Sequence, residues 1–480
     1  MKRIKRFAAA VLLSFGVLFS GCSGAFFGPG LGLEELLSPP KLSGDQAQIY
    51  EAMVNSIGGN FTLKYPRSGD YRSAFLIRNI DDDPEDEAIV FYKQASSDPA
   101  LSGVPGGEIS FNFLDRDEDG RWQSAAVVSF TAVDIERVSF TRLGYRPGIN
   151  IIAGYSISAT EKRFSVLRYE DGNITTLADE PYAYIFSGQF FPEPPDTSDN
   201  PDNPKNAGDK ENLILTIKTE LLNPGMETEA RVASAEVYSQ DDDGNVFLKG
   251  SVAVAADTAE YIQPTTGRIM LNREYDAVFL NYRRADSDFY GTDVLYWAGG
   301  VLRNPIAEIK ANQTRIFRRA NMATELAMPA DIDGDGFVEI PALGTEFKGY
   351  EEYEPANRLY PVIWRKFRSN GELYDYASSY FSAENRFAFL FPERWRGLVT
   401  ARVSGGEVTF AMNAGRIENA HTELLSIKSV RAGEAVPPEK DGWQYYADSV
   451  SRKIHYYIKK SSGTALAPTA TEITGGVKVF

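Results

Sequence analysis

The sequence predicts a mainly β protein made of repeated antiparallel units, and three observations support that fold class. Hydrophobic residues make up 43% and aromatic residues 12% of the 480 residues, and Tyr and Phe are frequent beside abundant Gly and Pro. Such a composition is typical of strands joined by turns. Turn dipeptides separate short apolar runs along most of the chain, and one polar-plus-apolar pattern recurs at nearly constant spacing.

The N-terminus predicts export and attachment to a membrane. A basic stretch over residues 2–6 precedes an apolar stretch over residues 7–19, which is short for a bilayer-spanning helix. Small residues then lead to Cys22, the only cysteine in the chain. This arrangement resembles a bacterial lipoprotein signal, which implies that residues 1–21 are a signal peptide and that Cys22 is lipidated. The alternative is an ordinary secretory signal followed by a stray cysteine.

The lipoprotein resemblance implies a location on the extracytoplasmic face of the cell membrane, with the lipid anchor as the membrane contact. Two or more acyl chains anchor a protein stably. Residues 22–42 are then the lipidated cysteine and a tether. The formal net charge of −16 argues against nucleic acid as a partner, because an acidic chain gains nothing from counterion release.

One short helix precedes the strand-rich region. Residues 45–57 place Ile49, Met53 and Ile57 on one stripe, and Gly58 is suited to end the helix. We assign residues 43–385 to this helix and the repeats that follow it.

Turn dipeptides and a recurring strand pattern define those repeats. Dipeptides that supply positive φ values for tight hairpins lie between strand-like runs. They are Asp119–Gly120, Asp171–Gly172, Asp243–Gly244, Gly299–Gly300 and Asn370–Gly371.

A polar residue followed by an apolar run recurs at intervals of 63, 62, 64 and 63 residues. The polar residues are Glu87, Asn150, Asn212, Asp276 and Glu339. A Pro/Asp/Asn-rich insertion at 192–209 lengthens one unit, so the basic unit is about 45–65 residues, the size of a four-stranded blade. The sequence therefore predicts a β-propeller-like array of five to seven four-stranded blades.

Two stretches have the spacing of a cation-binding loop. Residues 331–339 read DIDGDGFVE and residues 79–87 read NIDDDPEDE. Oxygens at positions 1, 3, 5 and 9 of a tight loop can converge on one hard cation, and Ca²⁺ accepts six to eight such ligands. The candidate metal ligands are Asp331, Asp333, Asp335 and Glu339 in one loop and Asn79, Asp81, Asp83 and Glu87 in the other. The alternative is that both loops are solvated turns without an ion.

The spacing differs from that of an EF-hand, which needs a glutamate at position 12 and flanking helices. Position 12 is Ala342 in one loop and Val90 in the other. The nine-residue form followed by a strand resembles the FG-GAP/VCBS repeats of integrin-α-like β-propellers, over roughly residues 70–385. That resemblance implies Ca²⁺ between strands of adjoining blades. Residues 143–150 resemble a loop that has lost its ligands.

The C-terminal part is predicted to be a small α+β domain over residues 386–480. Phe387, Phe389, Pro392 and Trp395 loosely resemble the opening of PsbP-like domains. The alternative is that these residues continue the array as a last blade.

No catalytic constellation is evident in the sequence, which predicts no enzyme and no catalytic residue. The two histidines, His421 and His455, lack metal-ligand spacing, and no Walker A sequence is present. We therefore expect a lipid-anchored binding protein with Ca²⁺-stabilised loops and a protein or glycan ligand. The alternative is a secreted glycan-active enzyme, a hydrolase or lyase, because carboxylate pairs are abundant. A third hypothesis is an assembly factor whose C-terminal domain makes the contact.

Overall fold

The computed structural model describes residues 43–94, 107–145, 148–192, 210–226, 230–256, 258–285, 289–308, 316–317, 327–354, 357–449, 453–461 and 463–479. Cys22, the predicted signal peptide and the tether lie outside the described residues. The described chain divides into two compact units, one with residues 43–59 and 114–124 and the other with residues 60–113 and 125–479. Among the described residues, no helix has the length and apolarity needed to span a bilayer.

The smaller unit contains the predicted N-terminal helix. Helix α1 is Gly44–Ile57 and buries Ile49 and Met53 on one stripe. Ser43 caps it, since the Ser43 hydroxyl accepts the Gln46 N–H and the Gln46 side chain accepts the Ser43 N–H. The helix ends at Gly58, which has a φ of 83°. The predicted helix over residues 45–57 is confirmed.

The first three sheets each contain a four-stranded path. The strands of the first sheet are β1 Phe61–Leu63, β2 Phe75–Arg78, β3 Glu87–Gln94, β4 Glu108–Arg116 and β5 Trp122–Thr131. Its order is β1-β3-β4-β5, with β2 also paired to β3. The second sheet is β6 Asp134–Thr141, β7 Asn150–Ser156, β8 Lys162–Glu170 and β9 Asn173–Pro181, and the third is β10 Tyr184–Pro192, β11 Lys210–Leu222, β12 Ala230–Gln240 and β13 Val246–Val254. Both follow chain order as antiparallel meanders.

The fourth sheet has the order β14-β16-β17-β18, with β15 on β16 and β19 on β17. Its elements are β14 Thr258–Tyr261, β15 Thr265–Met270, β16 Glu274–Arg284, β17 Phe289–Ala298, β18 Val301–Arg303, the short helix α2 Pro305–Glu308 and β19 Ile316–Phe317. The fifth sheet contains β20 Ile340–Leu343, β21 Val362–Phe367, β22 Leu373–Ser382, β23 Phe387–Leu390 and β29 Val477–Val479, in that order.

The sixth sheet lies near the C-terminus and has the order β24-β25-β26-β28-β27. Its strands are β24 Val399–Ser404, β25 Glu407–Met412, β26 Glu423–Arg431, β27 Gln444–Ser449 and β28 Ile454–Lys460. Three single 3₁₀ turns lie at Glu393–Trp395, Ile417–Asn419 and Glu439–Asp441, and helix α3 is Ala470–Gly476. The predicted mainly β class with four-stranded units is confirmed.

Local turn chemistry explains where the strands reverse. All five predicted turn dipeptides connect paired strands. At Asp171–Gly172 both residues have positive φ, 49° and 77°, as a two-residue hairpin requires. The same holds for Gly299–Gly300, at 61° and 76°.

Successive sheets of the larger unit share apolar cores, which stack the sheets in chain order. One core joins the first and second sheets, and includes Ile80 and Ile151. Further cores join the second sheet to the third, the third to the fourth and the fourth to the fifth. In the second sheet, β7 is buried along its whole length, whereas no residue of β9 is buried.

The predicted domain boundary at 385/386 lies between two paired strands of one sheet. Strand β23 pairs with β22 on one side and with β29 on the other. One core contains Phe347 and Tyr380 together with Trp395 and Phe410, so it extends across residues 385 and 386. Trp395 packs in that core, and its indole N–H donates to the Leu466 carbonyl at 2.7 Å.

A buried polar network ties the third sheet to the fourth. Asp293 on β17 is 2% exposed and accepts hydrogen bonds from the Ala255 N–H at 2.9 Å and the Asn304 amide at 3.0 Å. The same Asn304 amide donates to the Ala253 carbonyl at 3.0 Å. Burial raises the pKa of Asp293 to about 6, against the lowering effect of its two hydrogen bonds.

Replacing Asp293 should change the pH dependence of stability. Between pH 3.8 and about 6 the folded state keeps a proton on Asp293 that the unfolded state has released, so the free energy of unfolding falls as pH rises through this window. We expect Asp293→Asn to remove that decline, which is roughly 2–3 kcal/mol at about 1.4 kcal/mol per pKa unit. Urea unfolding from pH 4 to 7.5 measures it, with the exposed-site variant Asp375→Asn as control. Equal slopes in wild type and Asp293→Asn would contradict the assignment.

Candidate metal loops

Two acidic loops occupy equivalent places in their sheets. The first acidic loop, residues 79–87, connects β2 to β3, and Arg78 pairs with Glu87. The second acidic loop, residues 331–339, leads into β20, and Ala330 forms an isolated bridge with Glu339. In each loop the residue before position 1 therefore faces position 9. Neither loop is flanked by helices, which agrees with the exclusion of an EF-hand.

A buried side chain at position 9 anchors each loop. The Glu87 carboxylate accepts the backbone N–H of Ile80 at 2.7 Å, and the Glu339 carboxylate accepts that of Ile332 at 2.8 Å. Glu87 is 1% and Glu339 0% exposed. Ile80 and Ile332 are themselves buried. Each loop is thus fixed to the core at its second and ninth residues.

Three further hydrogen bonds match position by position. Position 1 accepts the N–H of position 4, from Asp82 to Asn79 at 2.8 Å and from Gly334 to Asp331 at 2.6 Å. Position 4 has positive φ in both loops, 70° at Asp82 and 82° at Gly334. Positions 3 and 5 each accept the N–H two residues later: Asp83 to Asp81 at 3.2 Å, Glu85 to Asp83 at 2.7 Å, Asp335 to Asp333 at 3.1 Å and Phe337 to Asp335 at 2.9 Å.

These bonds bring carboxylate oxygens together in both loops. One oxygen from each member of a group lies within 4.8 Å of the others. The groups are Asp81, Asp83 and Glu87 in the first loop and Asp331, Asp333 and Asp335 in the second. Two oxygens on one Ca²⁺ are at most about 4.6–5.2 Å apart, twice the metal–oxygen distance. The donor sets therefore have the chemistry and the spread of a Ca²⁺ site.

Asn79, the remaining predicted ligand of the first loop, also closes the loop through its amide. Its Nδ2 donates to the Asp83 carbonyl, while its Oδ1 accepts the Asp82 N–H. In the same loop, both carboxylate oxygens of Asp82 accept hydrogen bonds from the Arg142 guanidinium. The Arg142 hydrogen bond lowers the pKa of Asp82. Asp82 is position 4, which is not a predicted ligand.

A lysine that sequence reasoning missed lies inside the second acidic loop. Lys366 on β21 places its ammonium 3.0 Å from Asp333, 2.5 Å from Asp335 and 3.0 Å from Glu339. The Lys366 side chain is 16% exposed. Tyr376 on β22 covers the ammonium with its ring centroid 3.9 Å away.

The pKa directions reflect this crowding of charge. Burial lowers the pKa of Lys366, but its three carboxylate contacts outweigh burial and raise it. Burial raises the pKa of Glu339 to about 7, although the Ile332 N–H and Lys366 pull it down. The Tyr376 hydroxyl donates to Asp333 at 2.5 Å, and this bond is the main cause that raises the pKa of Tyr376 to about 12.

The loop at residues 143–150 keeps the anchor without the carboxylates. The Leu143 N–H donates to the Asn150 side chain at 3.0 Å, with the same seven-residue separation. Asn150 is 0% exposed and pairs across the sheet with Arg168 on β8. Gly148 has a φ of 99° and lies so close to Arg168 that a Cβ would come 1.7 Å from the guanidinium. The anchoring hydrogen bond is therefore present in a loop whose sequence has lost the carboxylates.

A cavity of about 570 Å³ lies beside the first acidic loop. It is lined by Tyr71, Phe75, Leu76, Ile77, Arg78 and Asn79. Arg78 lies over the Phe140 ring at 4.1 Å and donates to the Tyr71 hydroxyl at 2.7 Å. The cavity is an open depression in the surface, not an enclosed pocket.

Comparisons with known proteins leave the family open. No family model and no curated protein matches the chain. Among solved structures it is similar to a protein from Lactobacillus plantarum, at 9% identity and TM-score 0.24, covering 73% of this chain and 91% of that chain. It is also similar to rhamnogalacturonan lyase YesW, at 9% identity and TM-score 0.21, covering 65% of this chain and 62% of that chain. At these TM-scores neither similarity bears on the function of this chain, and the FG-GAP/VCBS and lipoprotein resemblances stay predictions.

The hydrogen bond to the position-9 side chain should contribute to the free energy of unfolding even in the loop where position 9 is not a carboxylate. Replacing Asn150 with Ala leaves the Leu143 N–H without its acceptor in a buried place, which costs about 1–3 kcal/mol. We expect Asn150→Ala to lower the free energy of unfolding by that amount in urea titrations. The exposed-site control Asn60→Ala should change it by less than about 0.5 kcal/mol. Equal effects of the two variants would show that the anchor is not stabilising.

Proposed function

We propose that the protein is a lipid-anchored, extracytoplasmic binding protein whose β-sheet array is stiffened by Ca²⁺ at its first acidic loop and presents a protein or glycan ligand site beside it. The observation that carries the proposal is the shared geometry of the two acidic loops. Matching hydrogen bonds hold the two loops, and in each loop three carboxylates lie within reach of one ion, at positions 3, 5 and 9 of the first and 1, 3 and 5 of the second.

The first acidic loop is the better Ca²⁺ candidate. Asp81, Asp83 and Glu87 supply hard oxygens within one ion's reach, and Glu87 starts a strand that is buried over most of its length. A bound Ca²⁺ would link the exposed side of the loop to the base of β3. It would also fix Asn79, which lines the neighbouring cavity.

The cavity beside this loop is the proposed ligand surface. Tyr71 offers an aromatic face and Arg78 a charged group, a combination suited to a glycan or a peptide side chain. A glycan array and a pulldown from envelope extracts, run with wild type and Ile77→Glu, test this surface. A ligand retained equally by both proteins would place the binding site elsewhere.

The proposal takes the role to be binding rather than catalysis, as the sequence predicts. The His455 ring is hydrogen-bonded to the Asp448 carboxylate at 2.6 Å. Acyl transfer by such a pair would also need a nucleophile within hydrogen-bond reach of the ring. The absence of catalysis is part of the proposal, which turnover of a polysaccharide by the purified protein would overturn.

The membrane anchor in the proposal rests on Cys22, the cysteine of the lipoprotein-like signal. Metabolic labelling with a radioactive fatty acid tests it. We expect label on wild type and none on Cys22→Ser. Label that persists in the variant, or its absence from wild type, would remove the lipid anchor from the proposal.

Ca²⁺ should raise the melting temperature through the first acidic loop. An ion that binds only the folded state at one hundred times its Kd adds about 2.7 kcal/mol. For the full-length protein in detergent, we expect Tm to be several degrees higher in millimolar Ca²⁺ than in EDTA. The paired substitution Asp81→Asn with Asp83→Asn should abolish that difference.

The matched control removes two charges from another acidic turn, with Asp242→Asn and Asp243→Asn in the exposed β12–β13 hairpin. This variant should keep the full Ca²⁺ response. If wild type melts at the same temperature in Ca²⁺ and EDTA, the calcium part of the proposal is wrong.

A further inference from the structure

The second acidic loop has a cation of its own, built into the chain. Ile340 pairs with Arg365, so Lys366 on β21 lies next to Glu339 at the entrance of β20. From there its ammonium reaches into the loop and contacts Asp333, Asp335 and Glu339. These are positions 3, 5 and 9, three of the four predicted metal ligands.

The Lys366 ammonium donates hydrogen bonds to Asp333 and Asp335 and forms an ion pair with Glu339. A lysine ammonium has three N–H donors and no acceptor, and three carboxylates lie within 3.0 Å of it. Hydrogen bonds between charged groups are the strong class. The Tyr376 ring covers the ammonium at 3.9 Å, and the Tyr376 hydroxyl donates to the Asp333 oxygen that Lys366 contacts. Lys366 therefore contacts the same carboxylates, at positions 3, 5 and 9, that a metal ion would need as ligands.

In the loop at residues 143–150, a basic side chain also lies beside the position-9 residue. Arg168 lies opposite this residue, Asn150, and packs against Gly148. In both cases, the basic side chain comes from the strand that follows the loop's own strand: Lys366 lies on β21 next to β20, and Arg168 lies on β8 next to β7. In the first acidic loop, Arg142 contacts Asp82, which is position 4 and not a predicted ligand.

We propose that the Lys366 ammonium is the resident cation of the second acidic loop, so that this loop is complete without Ca²⁺ although its sequence is the better match to a calcium loop. The inference rests on the proposed function in one respect, since it leaves the first acidic loop as the calcium-responsive one. It predicts one Ca²⁺ per chain instead of two. Entry of Ca²⁺ into the second loop would require a largely buried ammonium to leave three carboxylates.

The test uses full-length protein in detergent, with Asp81→Asn and Asp83→Asn in every variant to silence the first loop. In this background with Lys366 present, Ca²⁺ titration calorimetry should show no saturable binding, and Tb³⁺ should give no tyrosine-sensitised luminescence near Tyr376. Adding Lys366→Met should create one saturable Ca²⁺ site, sensitised Tb³⁺ emission, and a Tm that falls in EDTA and recovers in Ca²⁺. Met keeps an unbranched, apolar side chain that reaches the Cε position and removes the ammonium group.

Lys249→Met is the matched control, because Lys249 is also a strand lysine paired with a buried carboxylate, Glu211. It should create no Ca²⁺ site. Saturable binding in the background with Lys366 intact, lost on Asp333→Asn with Asp335→Asn, would overturn the inference. Failure of Lys366→Met to gain a site would do the same.

The background with Lys366 intact decides the question even if Lys366→Met does not fold. A failure of the proposed function is separately visible, because wild type would then bind no Ca²⁺ at its first loop while Lys366→Met still gains a site.

Discussion

A hydrogen bond from a loop N–H to a buried side chain seven residues later is the constraint on which the acidic loops depend. Where a strand enters the apolar core, a backbone N–H of the preceding loop is buried with it. Leaving that buried N–H without a hydrogen-bond acceptor costs free energy. Glu87, Asn150 and Glu339 each satisfy that N–H at the base of a buried strand. The same requirement accounts for three of the five polar residues that recur just before an apolar run, namely Glu87, Asn150 and Glu339.

Once the anchoring hydrogen bond is made, the loop keeps its backbone shape while the side chains inside it differ from loop to loop. Position 4 turns with positive φ in both acidic loops, and the side chains at positions 3 and 5 then accept local N–H groups and face inward. In one loop this leaves three carboxylates together, in another it surrounds a lysine, and in a third an arginine fills the place beside a glycine. The shape of the loop is therefore set by backbone hydrogen bonding. The positive charge that balances the carboxylates is determined separately, by the residues that the neighbouring strand contributes.

The parts that depend on local chemistry were predictable from the sequence. The turn dipeptides, the first helix and the equivalence of the two acidic loops follow from residues close together in the chain, and the structure contains all three. Lys366 was not predictable, because its place beside Glu339 depends on the register between β20 and β21 across the connection from residue 344 to 361. The pairing of β23 with β29, which brings residues 387 and 479 together, is likewise a long-range outcome of packing.

The most direct measurement is a crystal structure of the protein grown in millimolar Ca²⁺. The account predicts electron density for one cation bound by Asp81, Asp83 and Glu87, with the Lys366 ammonium still within about 3 Å of Asp333, Asp335 and Glu339, the range of N–H···O contacts. A cation in the second acidic loop, with Lys366 turned out to solvent, would contradict it.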